Sequence, residues 1–303
     1  MPTERSIEEK QAIFLDVLNR MKQHTAPSIT QICGNFDDTT GELIGTGTFV
    51  SLRGGLYLLT AQHVAGELFN ENIDGTRKYA SGLSHSVGNN QRMMRILSPW
   101  ITWGTPQDVA VTRIASTVLE GTEVVPLRAD HFALNSQNLD HDIYFIHGWP
   151  GQQSRFTTFF ERGVMSRSLP YGGWLESSTW PGFDDSIHFA ITYPPDELID
   201  ERGMPASLPH PGGLSGGVVW KTNKAGTGNE WTPEMARIVG VAHRFDQDAR
   251  CLVVTRVEYV KGLLLHVLRS DHAFFRWLGR GMPLWDDLDD WVDAERTIRD
   301  LRG

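Results

Sequence analysis

Cysteine is nearly missing from this chain: only Cys33 and Cys251 occur in 303 residues. So few thiols exclude the dense disulfide framework with which many secreted domains reinforce a thin core. A single bridge between the two is left open, but isolated thiols in a chain this long point to a reducing compartment. Long apolar runs are missing too. No stretch approaches the roughly 18 apolar residues expected of a membrane span. The start, Met1-Pro2-Thr3-Glu4-Arg5, has no apolar segment of signal-peptide length. The expectation is a cytoplasmic protein with no membrane partner. Positive charge is in deficit, with 28 Lys and Arg against 37 Asp and Glu and a net charge of -9. A basic face for phosphates is therefore not expected, and nucleic acid is not expected as a partner. What is present is ordinary globular composition, 40% hydrophobic and 21% charged. The length suffices for one large domain or two small ones with a sizeable core.

The hydrophobic period changes twice along the chain. Residues 6 to 24 predict a helix, because Ser6 and Glu9 form an S-x-x-E capping box and Ile13, Phe14, Val17, Leu18 and Met21 share a face. Short β-branched and apolar runs then follow, at Ile44–Ser51, Tyr57–Ala61, Met93–Thr102 and Val109–Ile114. A second set comprises Asp142–His147, Phe156–Phe160, Ile187–Thr192, Gly217–Lys221, Ile238–His243 and Cys251–Thr255. Such spacing suits two antiparallel barrels. The polar stretch Asn70–Arg92 reads as a long surface loop. After Thr255 the helical period returns in Val257, Val260, Leu264, Val267 and Leu268, and a last amphipathic segment carries Leu284, Leu288, Trp291, Ile298 and Leu301. The expected division is a helix over 1–27, a double barrel over 28–256 (about 28–127 and about 140–256), and a helical extension over 257–303.

Three strings carry the chemistry. Thr60-Ala61-Gln62-His63-Val64 offers a base, Asp108-Val109-Ala110-Val111 an acid, and Gly213-Leu214-Ser215-Gly216-Gly217 a nucleophile in a turn of small residues. A serine hydroxyl needs an imidazole to take its proton as it attacks, and the imidazole needs a carboxylate to fix its tautomer and stabilise its charged form. Asp142 competes with Asp108, since it too precedes an apolar strand. Of the eleven histidines, His85, His131, His141, His188 and His210 lack a comparable context and are expected to be structural. The spacing of His141 and His147 about Asp142 matches no firm metal-ligand signature.

In this order the strings resemble those of chymotrypsin-like serine peptidases, in which a T-A-x-H-V strand end, a D-[IV]-A-[LV] strand start and G-x-S-G-G supply the triad. Gly45-Thr46-Gly47-Thr48-Phe49-Val50 resembles the glycine-rich strand before the histidine, and Ile146-His147-Gly148-Trp149-Pro150-Gly151 the G-[YFW]-P turn of the second barrel. The resemblance spans about two-thirds of the chain. It implies a mostly β fold of two six-stranded antiparallel barrels, here with N- and C-terminal α-helical extensions. It also implies a polypeptide substrate, catalysis by His63, Asp108 and Ser215, an oxyanion hole of Gly213 and Ser215 N–H groups, and neither metal nor cofactor.

Two departures from the secreted members bear on control and specificity. Leu214 replaces the aspartate that pairs with a freshly cleaved N-terminus, so zymogen activation is not expected. Control is then expected in the terminal helices or in a regulatory protein that docks through them. The base of the primary pocket falls at Pro209, with His243, Phe245 and Leu252 nearby on adjacent strands; a pocket without an anion predicts a small or apolar residue before the scissile bond. Two alternatives remain. Gly213-x-Ser215-x-Gly217 also satisfies the nucleophile elbow of an α/β-hydrolase esterase, with His243 and Asp246 as its formal partners. The barrels could instead form a binding or scaffold module.

Overall fold

The computed structural model describes residues 6–35, 41–66, 69–71, 77–79, 82–87, 92–136, 139–151, 154–157, 163–196, 198–199, 205–227 and 230–277. Helix α1 (Ile7–Thr25) starts at the Ser6/Glu9 capping box read from the sequence, with both reciprocal hydrogen bonds made. The first set of strands is β1 (Ile29–Asn35), β2 (Gly41–Leu52), β3 (Gly55–Thr60), β4 (Phe69–Glu71), β5 (Arg77–Tyr79), β6 (Gly82–Val87), β7 (Arg92–Arg95), β8 (Trp100–Trp103) and β9 (Val109–Ile114). A five-residue helix, α2 (Gln62–Gly66), follows β3. The second set is β10 (Tyr144–Gly148), β11 (Ser154–Thr157), β12 (Gly163–Ser166), β13 (Leu169–Gly173), β14 (Leu175–Glu176), β15 (His188–Thr192), β16 (Leu198–Ile199), β17 (Pro205–Ala206), β18 (Val218–Lys221), β19 (Arg237–Asp246) and β20 (Cys251–Arg256). One turn of helix, α3 (Lys224–Thr227), lies between β18 and β19, and α4 (Val257–Trp277) follows β20.

Sixteen of these strands build two large antiparallel sheets, ordered β11-β12-β7-β6-β1-β2-β3-β9-β8 and β13-β10-β18-β19-β20-β15-β14, while β4 pairs with β5 and β16 with β17 in two small ones. The mostly β double-barrel architecture with flanking helices is the one expected; among the described residues the two large sheets hold nine and seven strands where six each were expected. Two local readings need correction. The stretch Asn70–Arg92 is not one surface loop: β6 lies inside the first sheet, paired to β1 and β7. Its polar residues Ser84, His85 and Ser86 are buried, and Ser86 is bonded through its carbonyl and hydroxyl to Thr30. The strand at Phe156 joins the first sheet, because β12 pairs with β7.

The two sheets share one core. Val109 and Val111 from the first sheet, Val218, Trp220, Ile238 and Val241 from the second, and Val17 and Met21 of α1 belong to a single buried cluster. Helix α4 completes it with Val257, Val260, Leu264, Val267 and Leu268, so the apolar stripe seen in the sequence is taken up by the barrels. Two buried charges anchor α4: Lys261 Nζ donates to the carbonyls of Ala133 and Leu134, and Glu258 accepts from the amide and hydroxyl of Ser136. Helix α1 lies on β13, with Phe14 stacked on Trp174 and Thr25 Oγ1 2.9 Å from His147 Nδ1. Cys33 and Cys251 are buried, unbridged, and on different sheets; burial pushes the Cys251 thiol up to about 11. The segment with Leu284, Leu288, Trp291, Ile298 and Leu301 lies outside the described residues. No helix among the described residues is long and apolar enough to cross a membrane.

Candidate active site

His63 is presented by α2, immediately after the fully buried strand β3, and Asp108 closes the turn before β9, which pairs with β3. Antiparallel pairing of these neighbours brings the end of one beside the start of the other. The contact is made twice: Asp108 Oδ1 accepts the His63 backbone N–H at 2.9 Å, and Oδ2 faces His63 Nδ1 at 2.8 Å. A carboxylate can only accept, so the imidazole proton sits on Nδ1 and Nε2 keeps its lone pair. Burial alone would raise the Asp108 carboxyl. Hydrogen bonds from His243 and His63 outweigh it and hold the group well below the usual carboxylate range. Asp108 adopts φ +47°, a strained left-handed conformation of the kind that persists where surroundings over-determine a functional residue.

Ser215 lies on the opposite side, in the turn before β18 of the second sheet. Its turn docks on β2: Thr46 N–H donates to Ser215 O at 2.8 Å, and a Cβ on Gly45 would touch both Val64 and Ser215 O. Gly45 thus seats the serine turn against the residue that follows His63. Ser215 Oγ donates to the His243 carbonyl at 3.4 Å, while the His243 ring places Nδ1 3.4 Å from Asp108 Oδ2. One residue of β19 therefore touches both the serine and the aspartate.

The backbone of the serine turn is fixed by its carbonyls. Gly212 O accepts from Gly151 N–H at 2.6 Å, and Leu214 O accepts from Gly217 N–H at 2.9 Å. In a trans peptide the N–H points opposite to its C=O, so the Gly213 and Ser215 N–H groups are turned the other way; neither finds an acceptor among the described residues. Gly213 has φ +98° and a Cβ there would overlap Trp149 O, while at Gly216, with φ +88°, it would overlap Thr60 Oγ1 and Thr46 O. Thr46 Oγ1 ties the two turns by donating to Gly213 O and accepting from Trp149 N–H. Leu214 is buried among Ile146, Tyr171 and Val239, an apolar setting that offers nothing to an ammonium group.

Beside Ser215 opens a pocket of about 290 Å³, lined by His243, Phe245 and Leu252 as well as Leu214, Ala242 and Arg244. Pro209 is not on its wall. The Tyr193 hydroxyl holds the Pro209 carbonyl, and the lining comes instead from His210, Pro211 and Gly212. His210, Arg244 and Gln247 were not singled out from the sequence, and no local motif marks them. His188, expected to be structural, contacts the acid's turn through Nε2, 2.8 Å from Pro106 O.

The competing acids are occupied elsewhere. Asp142 is buried and accepts from Ile143 N–H and Thr222 Oγ1. Asp246 accepts from Ser178, Thr179, Trp180, Asp248 and Ala249, whereas the His243 ring faces Asp108. The residues after Ser215 enter strand β18 rather than a helix, so the strand–turn–helix of a nucleophile elbow is not formed.

No protein-family model matches this sequence. No curated protein matches it. Among solved structures, the active form of the Rv3671c protease of M. tuberculosis aligns with 82% of this chain and 85% of its own, at 15% identity and TM-score 0.47. The serine protease domain of the Sesbania mosaic virus polyprotein aligns with 77% of this chain and 90% of its own, at 15% identity and TM-score 0.41. An inactivated protease paralogue of the scabies mite aligns with 81% and 96%, at 11% identity and TM-score 0.49.

Proposed function

We propose that this protein is a serine endopeptidase that cleaves polypeptides through an acyl-enzyme intermediate. The observation that carries the reading is the double contact of Asp108 with His63, which directs the ring proton to Nδ1 and so makes Nε2 the basic nitrogen. Ser215 Oγ attacks the scissile carbonyl as its proton passes to His63 Nε2. The new imidazolium is stabilised by Asp108 and then protonates the leaving amine. Water repeats the sequence on the ester, restoring the hydroxyl. The oxyanion is held by Gly213 and Ser215 N–H groups, whose direction is set before substrate arrives, so no reorganisation is needed as charge develops.

The pocket beside Ser215 takes the side chain that precedes the scissile bond. Phe245, Leu252 and Leu214 give it apolar surface, its charged lining residue Arg244 is a cation, and none of its lining residues is a carboxylate. A lysine or arginine would be desolvated there without a counter-charge, which favours small or apolar side chains. The reading is tested by reacting the purified chain with a fluorophosphonate, which modifies only an activated serine, and by profiling a peptide library. Ser215→Ala should abolish both signals. Modification at another residue, or equal turnover by the variant, would reject the assignment.

A further inference from the structure

We infer that Arg244 is a specificity-determining residue: its guanidinium, laid over the Trp180 indole beside the cleft, selects polypeptides that carry a carboxylate side chain in the few residues before the one held in the pocket. The inference rests on the proposed peptidase reading and names the substrate class it takes. Its first support is an open strand edge. β18 begins at Val218, opposite Val241, and the residues leading into it, Gly216 and Gly217, bond to Ala242. The chain turns away at Ser215, so β19 from His243 to Asp246 has β20 on one side and no strand on the other among the described residues. An extended peptide can fill that place by strand addition. Continuing the line of β18, it runs antiparallel to β19 and brings its C-terminal end to Ser215, so the residues before the scissile bond lie beside Arg244 and Phe245.

The second support is where these two side chains go. Neighbouring side chains of a strand point to opposite faces. Phe245 turns to Tyr193 and His210, with ring centroids 5.7 and 6.1 Å away, and walls the pocket. Arg244 turns to Trp180, with Cζ 4.8 Å from the ring centroid. That indole is a fixed platform. Its centroid lies 5.8 Å from that of the His243 ring, and Gly182 packs so close that a Cβ there would overlap it. Its backbone N–H donates to Asp246 at 2.9 Å, and Asp246, only 6% exposed, also accepts from Ser178 and Thr179, so this carboxylate is spent on the loop. Arg244 itself is exposed and has no hydrogen bond or ion pair among the described residues. A guanidinium stacked on an indole keeps its N–H edges free and is ordered before substrate arrives, the arrangement that takes a carboxylate through two parallel hydrogen bonds.

The test is a set of dye-labelled peptides that share one apolar pocket residue and carry Glu, Gln or Lys one, two or three positions before it, with a further peptide placing Glu in the pocket itself. In the unmodified chain kcat/KM should be about five- to tenfold higher for Glu than for Gln at one of the upstream positions, and the ratio should fall with added salt. Arg244→Gln should bring the ratio close to one, and Arg244→Glu should reverse it in favour of Lys. Only ratios within one protein are compared, so a variant that folds poorly loses rate without changing the answer, and a merely structural role would slow all peptides alike. Binding of the same peptides to Ser215→Ala, read by fluorescence anisotropy, separates this inference from the peptidase reading. If nothing is cleaved but the Glu peptide still binds more tightly, and adding Arg244→Gln removes the difference, the peptidase reading fails and this one stands. Equal behaviour of the Glu and Gln peptides in cleavage and in binding, no binding at all, or a preference confined to the pocket position would overturn it.

Discussion

Replacing Gly213 with alanine is expected to slow turnover without preventing folding. Gly213 has φ +98°, and a methyl group would overlap Trp149 O, stand 2.8 Å from Gly151 N and approach Leu43 Cδ2 at 3.3 Å. Left-handed backbone costs an L side chain roughly 1–2 kcal/mol even with room for it, and here two backbone atoms block it. The least costly relief is rotation of the Gly212–Gly213 peptide, which breaks the 2.6 Å bond from Gly151 N–H to Gly212 O and swings the Gly213 N–H out of line. One of two oxyanion donors is then lost, worth about 10²–10³ in kcat, or about 2.7–4 kcal/mol of transition-state stabilisation. KM should change little, because the donor acts on charge that develops only in the transition state. The assay is steady-state cleavage of a peptide chosen from the library, with active sites counted by fluorophosphonate end point so that misfolded protein does not enter. A thermal melt should show a loss of about 1–3 kcal/mol. A folded Gly213→Ala variant with kcat within threefold of the original would refute the oxyanion reasoning.

Other outcomes are expected at named positions. Asp108→Asn should lower kcat by about 10⁴, because the amide stabilises the wrong tautomer of His63; cleavage rates in the purified variant measure it. Thr46→Val strands the buried Gly213 O and the half-buried Trp149 N–H and should cost about 1–3 kcal/mol in urea unfolding, with a larger effect on kcat than on KM. Burial holds His85 and His188 down to about 4 and His147 to about 3. The unfolded chain binds these protons below about pH 6.5 and the native state does not, so stability is lost as pH falls from that point towards 4, by about 2 kcal/mol per ring at pH 5. Urea midpoints at pH 7 and pH 5 check this, and equal midpoints would contradict it. In a peptide library, cleavage after Lys or Arg should be weak; strong cleavage there would contradict the pocket argument.

The parts of this fold that were legible from sequence are those whose information is local. The Ser6 capping box, the β9 run Val109–Ile114 and the α4 stripe each satisfy their own element, so period and capping suffice to find them. Strand β6 was hidden because its polar residues are buried, with Ser86 bonded to Thr30 of β1 across the sheet, a partner that only the pairing reveals. The strand expected at Phe156–Phe160 was grouped with the second barrel, whereas β11 reaches the first sheet through β12, because neighbours in sequence do not specify the distant edge they join. At the site, the three motif strings were visible, whereas Pro209 missed the pocket wall by a single residue. Loop register of that kind is set by the Tyr193–Pro209 contact and not by pattern. The placing of the His243 ring against Asp108 depends on one register shift between Ala242 and Arg244, which leaves no mark in the alternation of β19.

Peptide mapping after fluorophosphonate reaction tests the central claim most directly. The account predicts a single modified residue, Ser215, in the metal-chelated chain without prior proteolysis, and no modification in His63→Ala or Ser215→Ala. No adduct on folded protein, or an adduct at any other residue, would contradict it.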